Sequence, residues 1–356
     1  MSHIFFFIFY VKTEKYVSLP SVMKKTIETT MTRYCRVLVF LPIILITLLA
    51  DAQQVKNPVW TRNWPDPTIW QGDDGRYYCI ATNPRRSLVS EDLFNWQVSD
   101  VSPIDNSSWE TISKISRNYW APDVTVVNGV RLMYLTLYNS AQDSNIGVFQ
   151  EFSLGQFRFK GIITSGNETG IEDTIDPEVI TDPKTGKVWL FFGSVGGIHR
   201  IELEADGLSV KKGAKYEHVA GLTVHQCPDR SKVFEGSYLH WRKGYWYLFV
   251  SSGFFGNHTY QLQVGRSKKL TGRFFNREGK PMAEGYATPV LYSDEGDNFY
   301  GPGHCGEIFT ASDGKEYIFY HCHVRESSRP EQRPMFMSHI QWDKNGWPYV
   351  EGGKPI

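Results

Sequence analysis

The sequence predicts an all-β fold, a five-bladed β-propeller, and three observations carry that prediction. Five segments follow one plan, each has a hairpin turn at its centre, and helical periodicity is absent from most of the chain beyond its amino-terminal apolar run. The plan is a polar opening residue, a short apolar strand, a turn, and a second strand rich in β-branched and aromatic side chains. Such side chains suit a pleated, half-buried surface. With Asp66, Asp123, Asp176, Glu235 and His304 as markers, the segments recur roughly every 50 to 70 residues, the length of a hairpin-based propeller blade.

The amino-terminal end is read as processing signal rather than fold. Residues 37–50 form an apolar run, the basic stretch Met31 to Arg36 precedes it, and Ala50-Asp51-Ala52 follows as a small-residue cleavage site. These are the three parts of a secretory signal peptide. The run is shorter than the about 20 residues a membrane span needs. Met23 or Met31 would open a more ordinary signal than Met1. Residues 1–52 are therefore expected to be an N-terminal extension and signal peptide, and residues 53–356 one propeller domain. The mature protein is expected to be secreted or periplasmic, with no membrane partner once the signal is cleaved.

The repeats then follow in order. They read DPTIWQGDDGRYYCIAT from Asp66, APDVTVVNGVRLMYLTLYN from Ala121, DPEVITDPKTGKVWLFFGS from Asp176, EGSYLHWRKGYWYLFVSSG from Glu235 and GHCGEIFTASDGKEYIFYHCH from Gly303. The central DDG, NG, KTG, RKG and SDG are hairpin chemistry, since Gly and Asn accept the positive φ such turns require. No linker or low-complexity stretch divides the chain, so one domain is the better count. Propeller geometry brings equivalent residues of different blades around one mouth, and every repeat opens on a polar residue. Carboxylates gathered in that way resist joint ionisation and shift one another's pKa, which suits acid/base work.

Composition narrows the partners. The 38 basic and 38 acidic residues cancel, whereas a nucleic-acid or membrane-surface protein favours a basic excess. Aromatic residues make up 15% of the chain; most serve the core, and some suit stacking on sugar faces. Cys79, Cys227, Cys305 and Cys322 follow the signal. They are too few for a disulfide scaffold, and they read as buried thiols or as one Cys305–Cys322 bridge. The cluster Cys305, His321, Cys322 and His323 fits no standard zinc spacing. The triplets at Asn106, Asn167 and Asn257 read as polar loop residues.

The mouth motifs carry a resemblance. Trp64-Pro65-Asp66-Pro67, Trp120-Ala121-Pro122-Asp123, Ile175-Asp176-Pro177-Glu178, Glu235-Gly236-Ser237-Tyr238, Gly301-Pro302-Gly303-His304 and Gly346-Trp347-Pro348 occur in this order. Together they resemble glycoside hydrolase family 43, the five-bladed arabinanases, arabinofuranosidases and xylosidases. The resemblance implies an inverting hydrolase of plant cell-wall polysaccharide, cutting α-L-arabinofuranosyl linkages, with Asp66 as general base, Glu235 as general acid and Asp176 orienting the acid. It makes Asp123 structural. It also implies sugar contacts from Trp64, Trp120, Asn145, His304 and Arg333, and a calcium ion held near His304 through waters, with no organic cofactor. Arg333 and Glu235-Gly236 lean toward the β-xylosidase branch, which is the alternative; a propeller that binds glycan without cutting it is the alternative from another class. Two departures bear on specificity: Val195-Gly196 stands where an aromatic pair is frequent, and Cys305 where Asn is.

Overall fold

Middle strands such as LMYLTLY and YWYLFV are apolar at consecutive positions, which demands packing on both faces. A propeller meets that demand by standing each sheet between two others. The computed structural model describes residues 55–356; the signal peptide and the boundary at residue 52 lie outside them. The described residues form five sheets, each an antiparallel meander read outward from an inner strand.

Blade one is β1 (Thr68–Gln71), β2 (Tyr77–Ile80), β3 (Leu88–Ser90) and β4 (Gln97–Val98). Blade two is β5 (Asn118–Val127), β6 (Val130–Tyr138), β7 (Ser144–Ser153) and β8 (Gln156–Ser165). Blade three is β9 (Glu178–Thr181), β10 (Val188–Phe192), β11 (Ile198–Leu203) and β12 (Glu217–Ala220). Blade four is β13 (Glu235–Arg242), β14 (Tyr245–Ser252), β15 (Gln261–Ser267) and β16 (Thr288–Leu291). In blade five the inner strand is split into β17 (Phe299–Gly303) and β18 (Ile308–Thr310). Both pair with β19 (Glu316–Val324), and β20 (Met335–Trp342) and β21 (Pro348–Val350) complete the sheet. The five-bladed expectation holds. Among the described residues two short α-helices break the all-β pattern, α1 (Asn106–Ile112) between blades one and two and α2 (Gly166–Thr169) after β8. Asp105 caps α1 by accepting a hydrogen bond from Ser108 N at 2.7 Å, so Asn106 lies in a helical turn.

Alternation along each middle strand feeds two cores. Met133, Leu135 and Leu137 of β6 pack toward blade one, while Leu132 and Tyr134 pack toward blade three. Likewise Trp246, Leu248 and Val250 of β14 join blade three, and Tyr247 and Phe249 join blade five. Blade five closes on blade one through Phe319, Met335 and Met337 against Ile69, Cys79 and Leu88. The first described residues reinforce that closure: Trp60 and Met335 exchange backbone hydrogen bonds at 3.2 Å, and Asn57 Nδ2 donates to Met337 O at 2.7 Å. All four cysteines beyond the signal are free and buried, which settles the open choice at Cys305 and Cys322 for thiols. Cys322 belongs to the core between blades four and five, whereas its neighbour His321 turns to Asp66, as strand alternation requires.

Around the axis, five side chains each take a backbone N–H from the next blade. Thr68 Oγ1 accepts from Val124 N at 3.2 Å, Asp123 Oδ2 from Val179 N at 2.8 Å, and Glu178 Oε1 from Leu239 N at 3.0 Å. Tyr238 Oη accepts from Ile308 N at 3.0 Å, and Glu307 Oε2 from Ile69 N at 2.5 Å, which closes the circle. Asp123 is thus a joint between blades and not an opening residue equivalent to Asp66. Burial pushes the carboxyls of Asp123 and Glu178 well above their usual range, and it pushes Glu307 up to about 7.

That shift has a sign in stability. Glu307 binds its proton more tightly in the folded chain, so its contribution is full below about pH 4.5 and is lost as pH rises toward 7. The loss is about 3 kcal/mol across that window. Glu307→Gln, which cannot titrate, is expected to flatten the fall in thermal midpoint between pH 4.5 and 7. An unchanged slope would exclude Glu307 as its source.

Candidate active site

One residue per blade turns left-handed where the inner strand begins: Asp66 (φ 58°), Ala121 (φ 40°), Asp176 (φ 57°), Gly236 (φ 61°) and His304 (φ 47°). For a residue with a Cβ this region is strained, and a hydrogen bond from the preceding blade holds each one there. Ala121 N donates to Thr82 Oγ1 at 2.9 Å, Asp176 N to Thr136 Oγ1 at 3.0 Å, and His304 N to Ser251 Oγ at 2.7 Å. Gly236 N donates to Asp176 Oδ2 at 3.2 Å, and Asp66 N lies 3.2 Å from His321 Nδ1. Glycine suits position 236 for a second reason, since a Cβ there would stand 3.0 Å from the His304 ring. The strained backbone aims the Asp66, Asp176 and His304 side chains into one cavity of about 340 Å³, which Glu235 also lines.

The carboxyls in this cavity are set apart electrostatically. Burial works to raise Asp66, but Arg333 and His304 outweigh it, with His321 assisting, and the carboxyl is held well below its usual range. The partners are close: Oδ1 lies 3.3 Å from Arg333 Nη1, 3.4 Å from His304 Nδ1 and 3.2 Å from His321 Nδ1, while Oδ2 accepts from Thr82 Oγ1 at 2.5 Å. Burial also dominates at His321, and with Arg333 beside it the imidazole falls to about 3; it stays neutral beside its two charged neighbours. Asp176 shifts the opposite way. Burial and the neighbouring Glu235 and Asp66 carboxylates push it well above the usual range. Glu235 is gripped by two hydroxyls, Tyr260 Oη donating to Oε1 and Ser194 Oγ to Oε2, both at 2.7 Å. Burial keeps the Tyr260 phenol well above its ordinary pKa, so it remains a donor.

Of the residues singled out from sequence, Asp66, Asp176, Glu235, Trp120, His304 and Arg333 line this cavity. Trp120 stacks on Tyr138 with centroids 4.1 Å apart and planes 25° apart, making a flat aromatic wall. Two expected residues lie elsewhere. The Trp64 indole turns into the core between blades five and one, where Nε1 donates to Cys79 Sγ at 3.2 Å, because only its backbone follows the mouth. Asn145 Nδ2 turns back on its own hairpin, to Leu137 O at 3.4 Å and Asp143 Oδ1 at 3.3 Å. Asp123 lies beyond the left-handed position, which Ala121 occupies. Other lining residues escaped the sequence reading, among them Thr82, Ser194, Arg230 and Phe255. A signal existed for two of them. Thr82, Thr136, Ser194, Ser251 and His321 fall at one place near the end of the second strand of successive repeats, and each is polar.

The donors suit a direct calcium cage poorly. Among the described residues no group of three or more His, Cys, Asp and Glu side chains is disposed to hold a metal. His304 offers nitrogen where calcium takes oxygen, and the axial carboxyls below it already accept backbone N–H groups and favour their protons. These side chains therefore do not form a direct calcium site.

Comparison with known proteins agrees with this architecture. Residues 55–348 match the family model described as glycosyl hydrolases family 43. The chain is 28% identical to an extracellular exo-α-(1→5)-L-arabinofuranosidase of Cellvibrio japonicus, over 87% of this chain and 91% of that protein. It is 27% identical to an extracellular endo-α-(1→5)-L-arabinanase of Bacillus subtilis, over 80% of this chain and 86% of that one. Among solved structures it resembles an exo-1,5-α-L-arabinanase from a bovine ruminal metagenomic library, with TM-score 0.68, 25% identity, and 83% and 99% of the two chains covered.

Proposed function

The chain belongs to glycosyl hydrolase family 43, and on that premise we propose that it hydrolyses α-L-arabinofuranosyl linkages of arabinan with inversion, outside the cell. The observation that carries the reading is one cavity lined by Asp66, Asp176 and Glu235, in which Asp66 faces Arg333 and His304 while the Ser194 and Tyr260 hydroxyls hold Glu235. Asp66 stays ionised and takes the proton of the attacking water. Its Oδ2 already accepts from Thr82 and its Oδ1 faces Arg333 and His304, which keeps the carboxylate ionised and fixed in place to receive that proton. Glu235 delivers its proton to the leaving oxygen as that bond breaks, and water adds from the opposite face of the sugar. Ser194 and Tyr260 fix the acid's orientation, and Asp176 holds the acid's strand through Gly236 N. The two relatives, an extracellular exo-α-(1→5)-L-arabinofuranosidase and an extracellular endo-α-(1→5)-L-arabinanase, support substrate and location.

The test is a product assay on Gln53–Ile356 with linear arabinan, an aryl α-L-arabinofuranoside and an aryl β-xyloside. Release from the first two is the expected result, and the anomer formed, followed by proton NMR, reports inversion. Turnover of the xyloside alone would move the assignment to β-xylosidase. No release from any, by folded protein, would sink hydrolysis of these sugars.

A further inference from the structure

Blade four carries a rim loop that the catalytic carboxyls do not explain. Between β14 and β15, Phe254 and Phe255 are 43% and 44% exposed side by side, with ring centroids 4.9 Å apart. Neighbouring exposed phenylalanines on a soluble surface mark a contact with something else. Phe255 lines the catalytic cavity, and the Arg333 guanidinium that meets Asp66 lies 5.0 Å from its ring centroid. An aromatic ring beside a guanidinium offers a sugar two kinds of contact, the ring to its C–H face and the guanidinium to its hydroxyls.

The loop is also built to hold still. Asn257 Oδ1 accepts from Thr259 N at 2.9 Å and from Thr259 Oγ1 at 2.5 Å, and Thr259 Oγ1 in turn accepts from Phe254 N at 3.1 Å. Gly301 admits the loop from below, for a Cβ there would stand 2.7 Å from Asn257 O. Beneath it, His323 is 3% exposed and stacked on Tyr300 with centroids 4.8 Å apart and planes 10° apart. Its Nε2 lies 3.0 Å from Phe255 O, and its Nδ1 lies 2.9 Å from Pro330 O. The buried His323 ring therefore sits between the Phe255 loop of blade four and the segment of blade five that leads to Arg333, within hydrogen-bond distance of a carbonyl of each.

We infer that Phe255 is a sugar-stacking, specificity-determining face of this site, and that His323 is the positioning residue that fixes it in the cavity the Trp120–Tyr138 wall also lines. The ligand class is an arabinofuranosyl oligomer extending past the cleaved residue, so the inference rests on the functional reading above. It gives this chain an aromatic platform on blade four, where Val195-Gly196 of blade three has none.

Binding on the inactive background separates the two readings. Glu235→Gln protein is titrated with arabinotriose and with xylotriose by calorimetry, alone and combined with Phe255→Ala, Phe255→Tyr, His323→Gln, or Phe255→Ala with His323→Gln. Phe255→Ala is expected to weaken arabinotriose about tenfold, the scale of one sugar face lost from one ring, and Phe255→Tyr to restore it. His323→Gln is expected to weaken binding in the same direction, and the double change to be no worse than Phe255→Ala alone, because His323 acts through Phe255. In active protein the same changes should raise KM for the trisaccharide far more than they lower kcat. Tight arabinotriose binding that Phe255→Ala leaves unchanged overturns the platform while sparing the proposed substrate. Fully additive effects overturn the positioning role of His323. Binding of xylotriose alone, or of neither sugar, overturns the functional reading and this inference with it.

Discussion

Glu235→Gln is expected to slow hydrolysis of an arabinan chain by about 10²–10⁴-fold, the range a positioned general acid supplies. The size should depend on the substrate. A sugar leaving group departs as a poor alkoxide unless it is protonated, whereas an aryl group with an acidic phenol leaves with little help. The variant should therefore lose much more activity on arabinan than on an activated aryl arabinofuranoside. Glutamine keeps an oxygen to accept from Tyr260 Oη and presents an amide to Ser194 Oγ, the two groups now on the carboxylate. The thermal midpoint should move by no more than about 2 °C, as for a change that keeps its hydrogen bonds. Equal losses on both substrates would take the acid role away from Glu235.

Asp66→Asn should cost a similar factor, about 10²–10⁴, but without regard to leaving group, because water must be activated in either case. A small anion such as azide, which needs no base, should restore turnover of the aryl substrate and give a glycosyl azide of inverted configuration. Failure of azide to rescue, with the fold intact, would argue against Asp66 as the base. The wild-type pH profile carries the companion sign. Arg333, His304 and His321 hold the Asp66 carboxyl well below 3.8, so activity should show no acid-side fall from this group until the pH drops beneath the ordinary carboxylate range. Its ion pairs stabilise the fold above about pH 3.8 and are lost as pH falls through the lower folded value. In the Asn variant, Arg333 and His304 face each other without that anion, so its midpoint should fall by more than that of Glu235→Gln.

The blades were legible because hairpin turns and strand composition are local signals, repeated in phase. Asp66 and Asp176 were legible as cavity residues because they stand at strand starts in one backbone geometry, and Glu235 because it directly precedes Gly236, which takes that geometry in blade four. Asp123 shows where that reasoning stops: its repeat looks like the others, yet the left-handed turn falls on Ala121, and the carboxyl moves one layer down the axis. Trp64 and Asn145 misled because nearness in sequence to the mouth does not fix the direction of a side chain; a sulfur acceptor and a hairpin carbonyl took them elsewhere. Phe255 and Arg230 reach the cavity from loops whose course depends on tertiary contacts, and no spacing announces them. Ser194 was within reach, because its column across the repeats is polar in every blade.

The circle of side chains running from Thr68 through Glu307 and back to Ile69 has an arithmetic of its own. Each blade gives one N–H and receives one, and the last handshake joins the chain's final repeat to its first. Solenoid arrays gain or shed a unit at an open end because each repeat leans only on its neighbours. A closed circuit has no end to extend. A duplicated blade would leave two partners facing each other across the wrong gap, and a deleted one would strand a donor and an acid in the dark of the axis. Variation is thereby steered outward, into rim loops such as the one that carries Phe255, where length and sequence alter what is bound without disturbing the count.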